Sequence, residues 1–337
     1  AELVWQDAMN LVTDIKYNAD SNGGNISFKV DRSSIRQGNA VIAIKDVSDA
    51  ILWSWHVWVT DEDINNVIEI TNHQNVKYNF MPVNLGQCDG NTITYEERSC
   101  KVKFIAGDQS KEITIKQLAN VIATGSNAPF YQWGRKDPLY PSNGMGNTTK
   151  IWYDKEGIPS TANPMKGTFS AGNDCIKNCI LNPNLMHNRY NGDYTYYNLW
   201  SADNKTTSAN DNPVNKTIYD PCPVGFKLPA SNAFTGFTTT GESVSSSTQV
   251  NGTWSSSEKG WYFYTNSEKT QSIFFPALGY RSYSTMRPGS IGTQGCFWSA
   301  HPVAKGNNYY LRTSSVDVQP TYMVDRGFGY ALRPCQD

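Results

Sequence analysis

Nine residues, Ile51-Leu-Trp-Ser-Trp-His-Val-Trp-Val59, set the structural class of this chain. In an extended strand successive side chains point to opposite faces, so Trp55 and Val57 share one face while Ser54 and Trp58 share the other. Both faces therefore carry aromatic rings, whereas a half-solvated strand alternates apolar with polar residues. The pattern predicts a β-strand in the middle of a sheet.

Other segments have the same extended character. The stretch 25–30 alternates apolar and polar residues, and 39–44 is a nearly continuous apolar run that indicates a more buried strand. Short aromatic runs follow near the carboxyl end, at Trp261-Tyr-Phe-Tyr264, Cys296-Phe-Trp-Ser299 and Tyr309-Tyr-Leu-Arg-Thr313. The chain is therefore expected to be rich in short strands.

Two segments depart from this pattern. The stretch 126–215 shows little periodicity but holds many aromatic residues, which favours long loops that are packed and ordered. The stretch 229–236 predicts a short helix with Ser231 as its N-cap and Gly236 as its stop.

A small insertion is predicted in the larger domain. The stretch 99–105 pairs naturally with 111–116 across a turn at 106–110, as a β-hairpin does. We therefore expect one domain made of residues 1–87 and 126–337, with 88–125 as a β-hairpin insertion.

Composition narrows the class of function. The 337 residues carry a net charge of -1 and only 18% charged residues, so nucleic acid is a poor candidate for the partner. The chain has 10 Trp and 19 Tyr. Tyr and Trp supply rigid contact area at binding surfaces, although a large β-and-loop protein also needs aromatic rings to fill its core.

Seven cysteines in polar, weakly charged surroundings suggest an exported protein. Their spacing does not follow a zinc pattern, and Cys296, in an aromatic stretch, is the candidate for a free buried thiol. The longest apolar stretch is too short to span a bilayer. The abrupt start at Ala1 suggests a mature chain whose export signal has been removed.

Five motifs occur in order along the chain and resemble FISUMP-type domains of fimbrillin-like bacterial surface proteins. The motifs are Tyr131-Gln-Trp-Gly-Arg-Lys-Asp-Pro138, Ile218-Tyr-Asp-Pro-Cys-Pro-Val-Gly-Phe-Lys-Leu-Pro229, Phe275-Pro-Ala-Leu-Gly-Tyr-Arg-Ser282, Gly295-Cys-Phe-Trp-Ser-Ala300 and Gly329-Tyr-Ala-Leu-Arg-Pro-Cys335. The stretches 38–43 and 52–60 are similar to the opening of the same family, so the resemblance covers most of the chain.

The resemblance implies an α+β fold of the C-type-lectin-like kind, related to formylglycine-generating enzymes and β-rich with long ordered loops and few short helices. In that fold the two chain ends meet in a central sheet. The resemblance also implies display at the cell surface and adhesion, but it does not fix a ligand.

Disulfide pairing is predicted between Cys222 and Cys335, where it would tie a rigid turn to the last strand. The turn is Asp220-Pro-Cys-Pro-Val-Gly225, whose prolines fix φ and whose Gly225 permits an unusual backbone angle. Nearness in sequence also suggests Cys88–Cys100 and Cys175–Cys179.

No catalytic constellation is recognisable, and we expect neither enzymatic activity nor a cofactor or metal. His56 is interpreted as a satisfied, partly buried side chain, and Asp61-Glu-Asp63 as a solvated turn that lacks the spacing of a calcium loop. Similarly, Trp133-Gly-Arg-Lys-Asp137 is interpreted as a structural lock. The calcium-binding motifs of sugar-binding C-type lectins do not occur in the sequence.

The carboxyl-terminal region resembles the variable region of retroelement-diversified proteins, which use the same fold. Fixed framework positions alternate there with positions that can vary. The framework is Trp298, Ser299, Leu311, Val318, Pro320, Arg326, Gly329 and Arg333. The predicted ligand-binding residues fall between them and are Val303, Lys305, Asn307, Asn308, Tyr310, Arg312, Asp317, Gln319, Tyr322, Met323, Val324, Asp325 and Phe328.

Alternation supports this assignment. If Leu311 points to the core, Tyr310 and Arg312 point outwards. The stretch 321–325 is predicted to be a loop that exposes Tyr322 and Met323, both of residue types common at binding surfaces. The alternative is that these side chains fold under as core.

Three functions remain open. The first is a cell-surface adhesin at a fimbrial tip or on a lipoprotein, which binds a host or bacterial surface protein or a glycan. The second is a structural fimbrial subunit that binds other subunits through strand exchange. The third is an enzyme of the formylglycine-generating type, which would require a reactive thiol of low pKa.

Overall fold

The structure is a computed structural model that describes residues 1–90, 92–123, 125–167, 173–188, 198–202, 206–303 and 306–337. Strands account for 43% and helices for 6%, which confirms the β-rich class. The helices are α1 (Asn173–Leu181) and the 3₁₀ helices Ser231–Phe237 and Ser247–Gln249. Within the described part, no helix is long and apolar enough to cross a membrane.

The strands are short and are gathered into several small sheets. In chain order they are β1 (Glu2–Gln6), β2 (Thr13–Asn18), β3 (Asn25–Lys29), β4 (Gly38–Lys45), β5 (Ile51–Val59), β6 (Ile68–Thr71), β7 (Lys77–Phe80), β8 (Thr92–Tyr95), β9 (Arg98–Ala106), β10 (Gln109–Gln117), β11 (Asn120–Ala123), β12 (Tyr131–Gln132), β13 (Trp152–Tyr153), β14 (Pro159–Ser160), β15 (Met165–Gly167), β16 (Leu185–His187), β17 (Phe226–Lys227), β18 (Gly252–Ser255), β19 (Gly260–Tyr264), β20 (Ser272–Pro276), β21 (Tyr280–Arg281), β22 (Pro288–Gly289), β23 (Gly295–Pro302), β24 (Asn307–Thr313), β25 (Val318–Asp325), β26 (Gly329–Tyr330) and β27 (Cys335–Gln336).

The aromatic strand β5 lies at the edge of a five-stranded sheet with the order β14-β13-β1-β4-β5, so the prediction of a central position is wrong. The continuous apolar strand β4 takes an inner position, and its Val41 pairs with His56 of β5. The two faces of β5 carry aromatic rings in different environments. On one face Trp55 is exposed, and on the other the Trp58 indole donates to the Gln87 carbonyl at 3.1 Å.

Two hydrophobic clusters make up most of the core. One is built from stacked phenylalanines, with the rings of Phe237 and Phe263 only 3.9 Å apart and Phe275 packed edge-on against both. The other gathers Tyr131 and Trp298 with the rings around them. The carboxyl-terminal sheet, with the order β23-β24-β25, contributes side chains to both clusters.

The two chain ends lie in different sheets. Strand β1 pairs with β4 and β13, whereas β27 pairs with β17 and β7 in a separate four-stranded sheet. The expectation that the ends meet in one central sheet is therefore wrong. Short β27 offers two residues for pairing, and Cys335 is held opposite Phe80 and Lys227.

The predicted short helix is present as the 3₁₀ helix Ser231–Phe237, but its capping differs. The residue before it, Ala230, occupies the N-cap position, and no side chain caps the helix. The hydroxyl of Ser231 instead binds the Asn210 backbone, accepting from its N–H at 2.8 Å and donating to its carbonyl at 3.2 Å. The Ser231 hydroxyl, which the sequence predicted to cap the helix, is therefore hydrogen-bonded to the loop that contains Asn210.

The predicted hairpin is confirmed as β9 and β10, paired in continuous register from Gln109↔Ala106 to Gln117↔Arg98. Every residue of the two strands is exposed except Val102, which is half-buried. An isolated two-stranded hairpin is only marginally stable in water. Because its side chains pack against little else, the hairpin contributes little to the stability of the rest of the chain. Its status as an insertion stays a prediction.

Replacing residues 98–117 with a short Gly-Ser linker is expected to change the free energy of unfolding by less than about 0.5 kcal/mol. The reason is that the hairpin buries almost no side chain. Urea unfolding of the two chains measures the difference. A loss above about 1 kcal/mol would show that the hairpin packs on the main domain.

Candidate binding surface

The carboxyl-terminal sheet carries the predicted site, and two of its strands are covered on both faces. All eight residues of β23 are buried. Phe297 and Leu311 enter the phenylalanine cluster on one side, and Trp298 and Tyr310 enter the Tyr131 cluster on the other. Among the residues of this sheet that the structure describes, only the edge strand β25 and the turn 314–317 reach the surface over any length.

The framework positions behave as the sequence predicts. All eight are buried in the structure, and they are Trp298, Ser299, Leu311, Val318, Pro320, Arg326, Gly329 and Arg333. Trp298 shows how they are fixed, since its indole Nε1 donates to the Tyr131 carbonyl at 2.8 Å and its ring packs 4.4 Å from that of Tyr330.

The intervening positions are mostly accessible. Ten of the twelve that the structure describes are exposed or half-buried, namely Val303, Asn307, Arg312, Asp317, Gln319, Tyr322, Met323, Val324, Asp325 and Phe328. Lys305 lies outside the described residues.

Two of the predicted binding residues, Asn308 and Tyr310, are buried, and their assignment to the surface is wrong. Tyr310 does lie opposite Leu311, as alternation requires, but the face opposite Leu311 is not solvated. The ring packs 4.6 Å from Tyr330 and 5.7 Å from Trp298. Burial raises the pKa of the Tyr310 hydroxyl. At this point the phenylalanine cluster covers one face of β24, at Leu311, and the Tyr131 cluster covers the other, at Tyr310.

The stretch predicted as an exposed loop is part of strand β25, so the loop assignment is wrong. The predicted exposure is confirmed, since 46% of Tyr322 and 51% of Met323 are accessible. Period-two alternation places the two side chains on opposite faces of an edge strand. Val324 is half-buried against the Tyr131 cluster.

Four side chains, Arg312, Asp317, Gln319 and Tyr322, form a polar and aromatic group that we call the C-terminal patch. The guanidinium of Arg312 pairs with Asp317 at 3.0 Å and donates to Gln319 Oε1 at 3.3 Å. It also lies 5.9 Å from the ring of Tyr322. The ion pair fixes the orientation of Arg312, and a preorganised Arg beside an exposed Tyr can bind a partner at a low cost in side-chain entropy.

A second aromatic group borders this region. The half-buried ring of Phe328 contacts Tyr283 at 4.8 Å and Tyr280 at 5.5 Å, both edge-on. Asp325 accepts a hydrogen bond from the Gly327 N–H at 2.7 Å, which shapes the turn after β25. The turn after β25 is therefore flanked by aromatic side chains that are partly accessible, with Tyr322 before it and Phe328 after it.

The interpretation of His56 as a satisfied side chain is confirmed. Its Nε2 lies 2.9 Å from Asn39 Oδ1 and its Nδ1 lies 3.0 Å from the Tyr131 hydroxyl. Asn39 uses its amide nitrogen to donate to Gly86, so its oxygen accepts and His56 Nε2 carries the proton. Burial lowers the pKa of His56 to about 3.

The stretch Trp133–Asp137 is confirmed as a structural lock. The Trp133 indole donates to the Ser299 carbonyl at 3.1 Å, and Arg135 donates to the Pro183 carbonyl at 2.8 Å. Lys136 and Asp137 form a buried ion pair at 2.7 Å. These contacts tie the segment to β23, to the chain before β16 and to β5.

The acidic stretch 61–63 is exposed, and Asp63 accepts a hydrogen bond from the Asn65 N–H at 3.1 Å, as in a solvated turn. Among the described residues, no group of three or more His, Cys, Asp or Glu side chains is arranged to hold a metal ion.

All seven cysteines are free thiols, so the predicted Cys222–Cys335 disulfide is not present, nor are Cys88–Cys100 and Cys175–Cys179. Cys222 packs in the Tyr131 cluster, whereas Cys335 packs in the phenylalanine cluster. Each behaves as a small buried hydrophobe, and burial raises the pKa of both thiols, that of Cys335 to about 12.

Sequence reasoning suggested a Cys175–Cys179 pair from nearness in sequence and missed the side chains that surround it. Helix α1 lies inside the stretch predicted to be loop, and it carries Cys175 and Cys179 one turn apart, close to His187 and Arg135. The i, i+4 spacing of the two cysteines was the available signal, but it has this meaning only on a helix.

Comparisons of the chain with protein-family models, with curated proteins and with solved structures found no match.

Proposed function

We propose that this chain is a binding module displayed on the outside of a bacterial cell, at a fimbrial tip or on a surface lipoprotein, and that it acts by adhesion and not by catalysis. We further propose that it has the C-type-lectin-like fold that its five ordered motifs resemble. The ligand is a host or bacterial surface protein or a glycan, and no cofactor takes part.

One observation carries the proposal: between residues 317 and 329, buried framework positions are interspersed with accessible positions. Side chains that lie between fixed core residues can change identity without opening the core, because the packing is held by their neighbours. A surface built in this way suits a module that must bind different partners with one scaffold.

The chemistry of the accessible residues supports binding to a macromolecule. Arg, Tyr and Met are residue types that contribute strongly or adaptably to interfaces. The C-terminal patch lies on β24, on the edge strand β25 and on the turn between them. A cavity of about 590 Å³ lies elsewhere, lined by Ile51, Leu52 and side chains of α1. A strand surface favours a protein or an extended glycan over a small enclosed ligand.

The test is binding of the intact chain to an array of glycans and surface proteins, beside a triple variant with Arg312→Ala, Tyr322→Ala and Met323→Ala. We expect a ligand whose affinity falls by about tenfold or more in the triple variant, since exposed Arg and Tyr side chains dominate interface energies. Tyr310 is left unchanged because its substitution would disturb the core.

The matched control replaces one Arg and two apolar side chains on a distant exposed surface, with Arg36→Ala, Ile35→Ala and Val47→Ala. It should bind as the unchanged chain does. Equal binding by the triple variant and the unchanged chain, with both folded, would contradict the assignment of the site.

A structural fimbrial subunit is the second candidate, and one observation favours it. Strand β5 is a nine-residue sheet edge on which Leu52 and Trp55 are exposed. Such an edge can accept a strand from another chain. Concentration-dependent self-association in sedimentation, abolished by Trp55→Lys and unaffected by the triple variant, would favour this candidate over adhesion.

A further inference from the structure

Two thiols face a small cavity beside helix α1. Cys175 and Cys179 stand four residues apart on this helix and therefore share one of its faces. Cys175 is buried and Cys179 is half-buried. Both line a cavity of about 30 Å³, and Arg135 lines it too. The space is sufficient for about one water molecule.

A larger cavity adjoins the small one. The cavity of about 590 Å³ shares four lining residues with the small one, namely Ile176, Ile180, Leu199 and Tyr219. The two cavities are therefore neighbours, and Cys179, which is half-buried, keeps part of its surface accessible.

Arg135 supplies a buried positive charge. Only 4% of the residue is exposed, and its guanidinium donates to the backbone carbonyls of Leu185 and Pro183 at 2.5 and 2.8 Å. Among the described residues, no carboxylate lies within ion-pair distance, and its Nε has no hydrogen-bond partner. The neighbouring Lys136 is neutralised by Asp137, so Arg135 is the cation left to act on the cavity.

The thiol of Cys179 is surrounded by groups that favour its ionised form. Cys175 lies within hydrogen-bonding reach and is the largest influence that lowers the pKa of the Cys179 thiol well below its usual range. The charge of Arg135 and a contact with His187 act in the same direction, against the cost of burial. Burial lowers the pKa of His187, so its ring is neutral at pH 7 and the thiolate is matched with Arg135.

Three other buried thiols have pKa values shifted in the opposite direction from that of Cys179. Burial raises the pKa of Cys296 and of Cys335 to about 12 and that of Cys222 well above its usual range, which leaves these side chains protonated and inert. A low-pKa, partly accessible thiol beside a second thiol is the arrangement found in redox-active cysteines.

We propose that Cys179 is a nucleophilic thiolate and Cys175 its resolving thiol, so that this chain carries a reversible dithiol–disulfide site whose substrates are small organic disulfides. This activity is independent of the binding surface on β25 and of the adhesion proposed above.

The exchange balances with a small disulfide as the oxidant. The Cys179 thiolate attacks one sulfur of the disulfide, whose S–S bond breaks, and a mixed disulfide forms while a thiolate leaves. The Cys175 thiol gives its proton to that thiolate and attacks the Cys179 sulfur, which releases the second half as a thiolate that is protonated by solvent. The two cysteines lose two electrons, and the small disulfide becomes two thiols.

Helix geometry makes the protein disulfide easy to reduce. Side chains at i and i+4 have Cβ atoms about 5–6 Å apart, whereas a relaxed disulfide needs about 3.5–4.5 Å. Closing the bond must therefore distort α1. A strained disulfide is more oxidising, so the site is expected to cycle and not to act as a permanent brace.

The first experiment follows alkylation of the intact folded chain by iodoacetamide from pH 5 to 9, with each cysteine quantified by peptide mass mapping. We expect the Cys179 labelling midpoint to lie about one pH unit or more below the value of about 8.5 for a free thiol. Cys222, Cys296 and Cys335 should stay unlabelled. A Cys179 midpoint at or above that of a free thiol would overturn the proposal, and this measurement needs no variant.

The second experiment adds oxidised glutathione to three folded chains. The unchanged chain should form the Cys175–Cys179 disulfide, and Cys175→Ser should accumulate glutathione on Cys179. Cys179→Ser should take up at least tenfold less glutathione at Cys175. Cys100→Ser, which removes an exposed thiol elsewhere, is the matched control and should behave as the unchanged chain does. Equal uptake at Cys175 in the Cys179→Ser chain would refute the assigned roles.

Discussion

Replacing Trp298 by alanine is expected to lower the free energy of unfolding by about 3–5 kcal/mol, since a large buried ring is lost and a cavity remains. The side chain is fully buried and packs against Tyr330 at 4.4 Å and Tyr310 at 5.7 Å. Its Nε1 also donates to the Tyr131 carbonyl at 2.8 Å. Urea unfolding followed by intrinsic fluorescence and by circular dichroism measures the loss.

Two further substitutions separate the contributions to this effect. Trp298→Phe keeps most of the packing but leaves the Tyr131 carbonyl without its donor, so it should cost about 1–3 kcal/mol. Tyr322→Ala removes an exposed ring from the neighbouring strand and should cost less than about 1 kcal/mol while it weakens ligand binding. If Trp298→Ala cost no more than Tyr322→Ala, the buried position of the framework would be refuted.

Acid is expected to destabilise the fold between pH 6.5 and about 4 through two buried histidines. Burial lowers the pKa of His56 to about 3 and that of His301 to about 4. An unfolded chain binds protons at both rings below its pKa of about 6.5, and the folded chain does not. Stability is therefore fully present above pH 6.5 and falls as pH drops, with a limiting slope of about 1.4 kcal/mol per pH unit for each histidine.

The hydrogen bonds of both rings explain why they resist protonation. The Tyr131 hydroxyl uses His56 Nδ1 as its acceptor, and the Ser231 N–H donates to His301 Nδ1 at 3.3 Å. A proton on either nitrogen would remove an acceptor and place two donors against each other.

The measurement that tests this is the free energy of unfolding in urea at pH 7.5, 6 and 5, for the unchanged chain and for His56→Gln.

The slope between pH 6 and 5 should fall by up to about 1.4 kcal/mol per pH unit in His56→Gln, whatever that substitution costs at pH 7.5. His73→Gln is the matched control, because His73 is exposed, and it should keep the slope of the unchanged chain. A slope that is the same in all three chains would show that His56 binds its proton equally well in the folded and unfolded states.

The pattern of side chains along the sequence was sufficient to predict several elements of secondary structure. The alternation and apolar runs located β3, β4 and β5, and the charged, turn-bounded stretches located the hairpin of β9 and β10. Each of these depends on side-chain period or turn chemistry within a few residues, which are properties of the local chain.

The wrong predictions have one origin. Alternation shows which side chains share a face of a strand, but it does not show what covers that face or where the sheet ends. Alternation placed Tyr310 opposite Leu311, but it could not show that a second core covers the face of Tyr310. It showed two aromatic faces on β5, but not that the strand ends its sheet. Helix α1 was not predicted because its nine residues show only a weak apolar pattern. The pKa of its Cys179 thiol depends on Arg135 and His187, which come from other parts of the chain.

The sequence by itself determined that this chain is β-rich and which stretches extend. The tertiary structure decided which of the two faces of each strand meets solvent, where the sheets end, and which cysteine is held beside a buried cation. The reason is that period and propensity act over one to four residues, whereas exposure and the pKa of a thiol depend on groups brought together from distant parts of the chain.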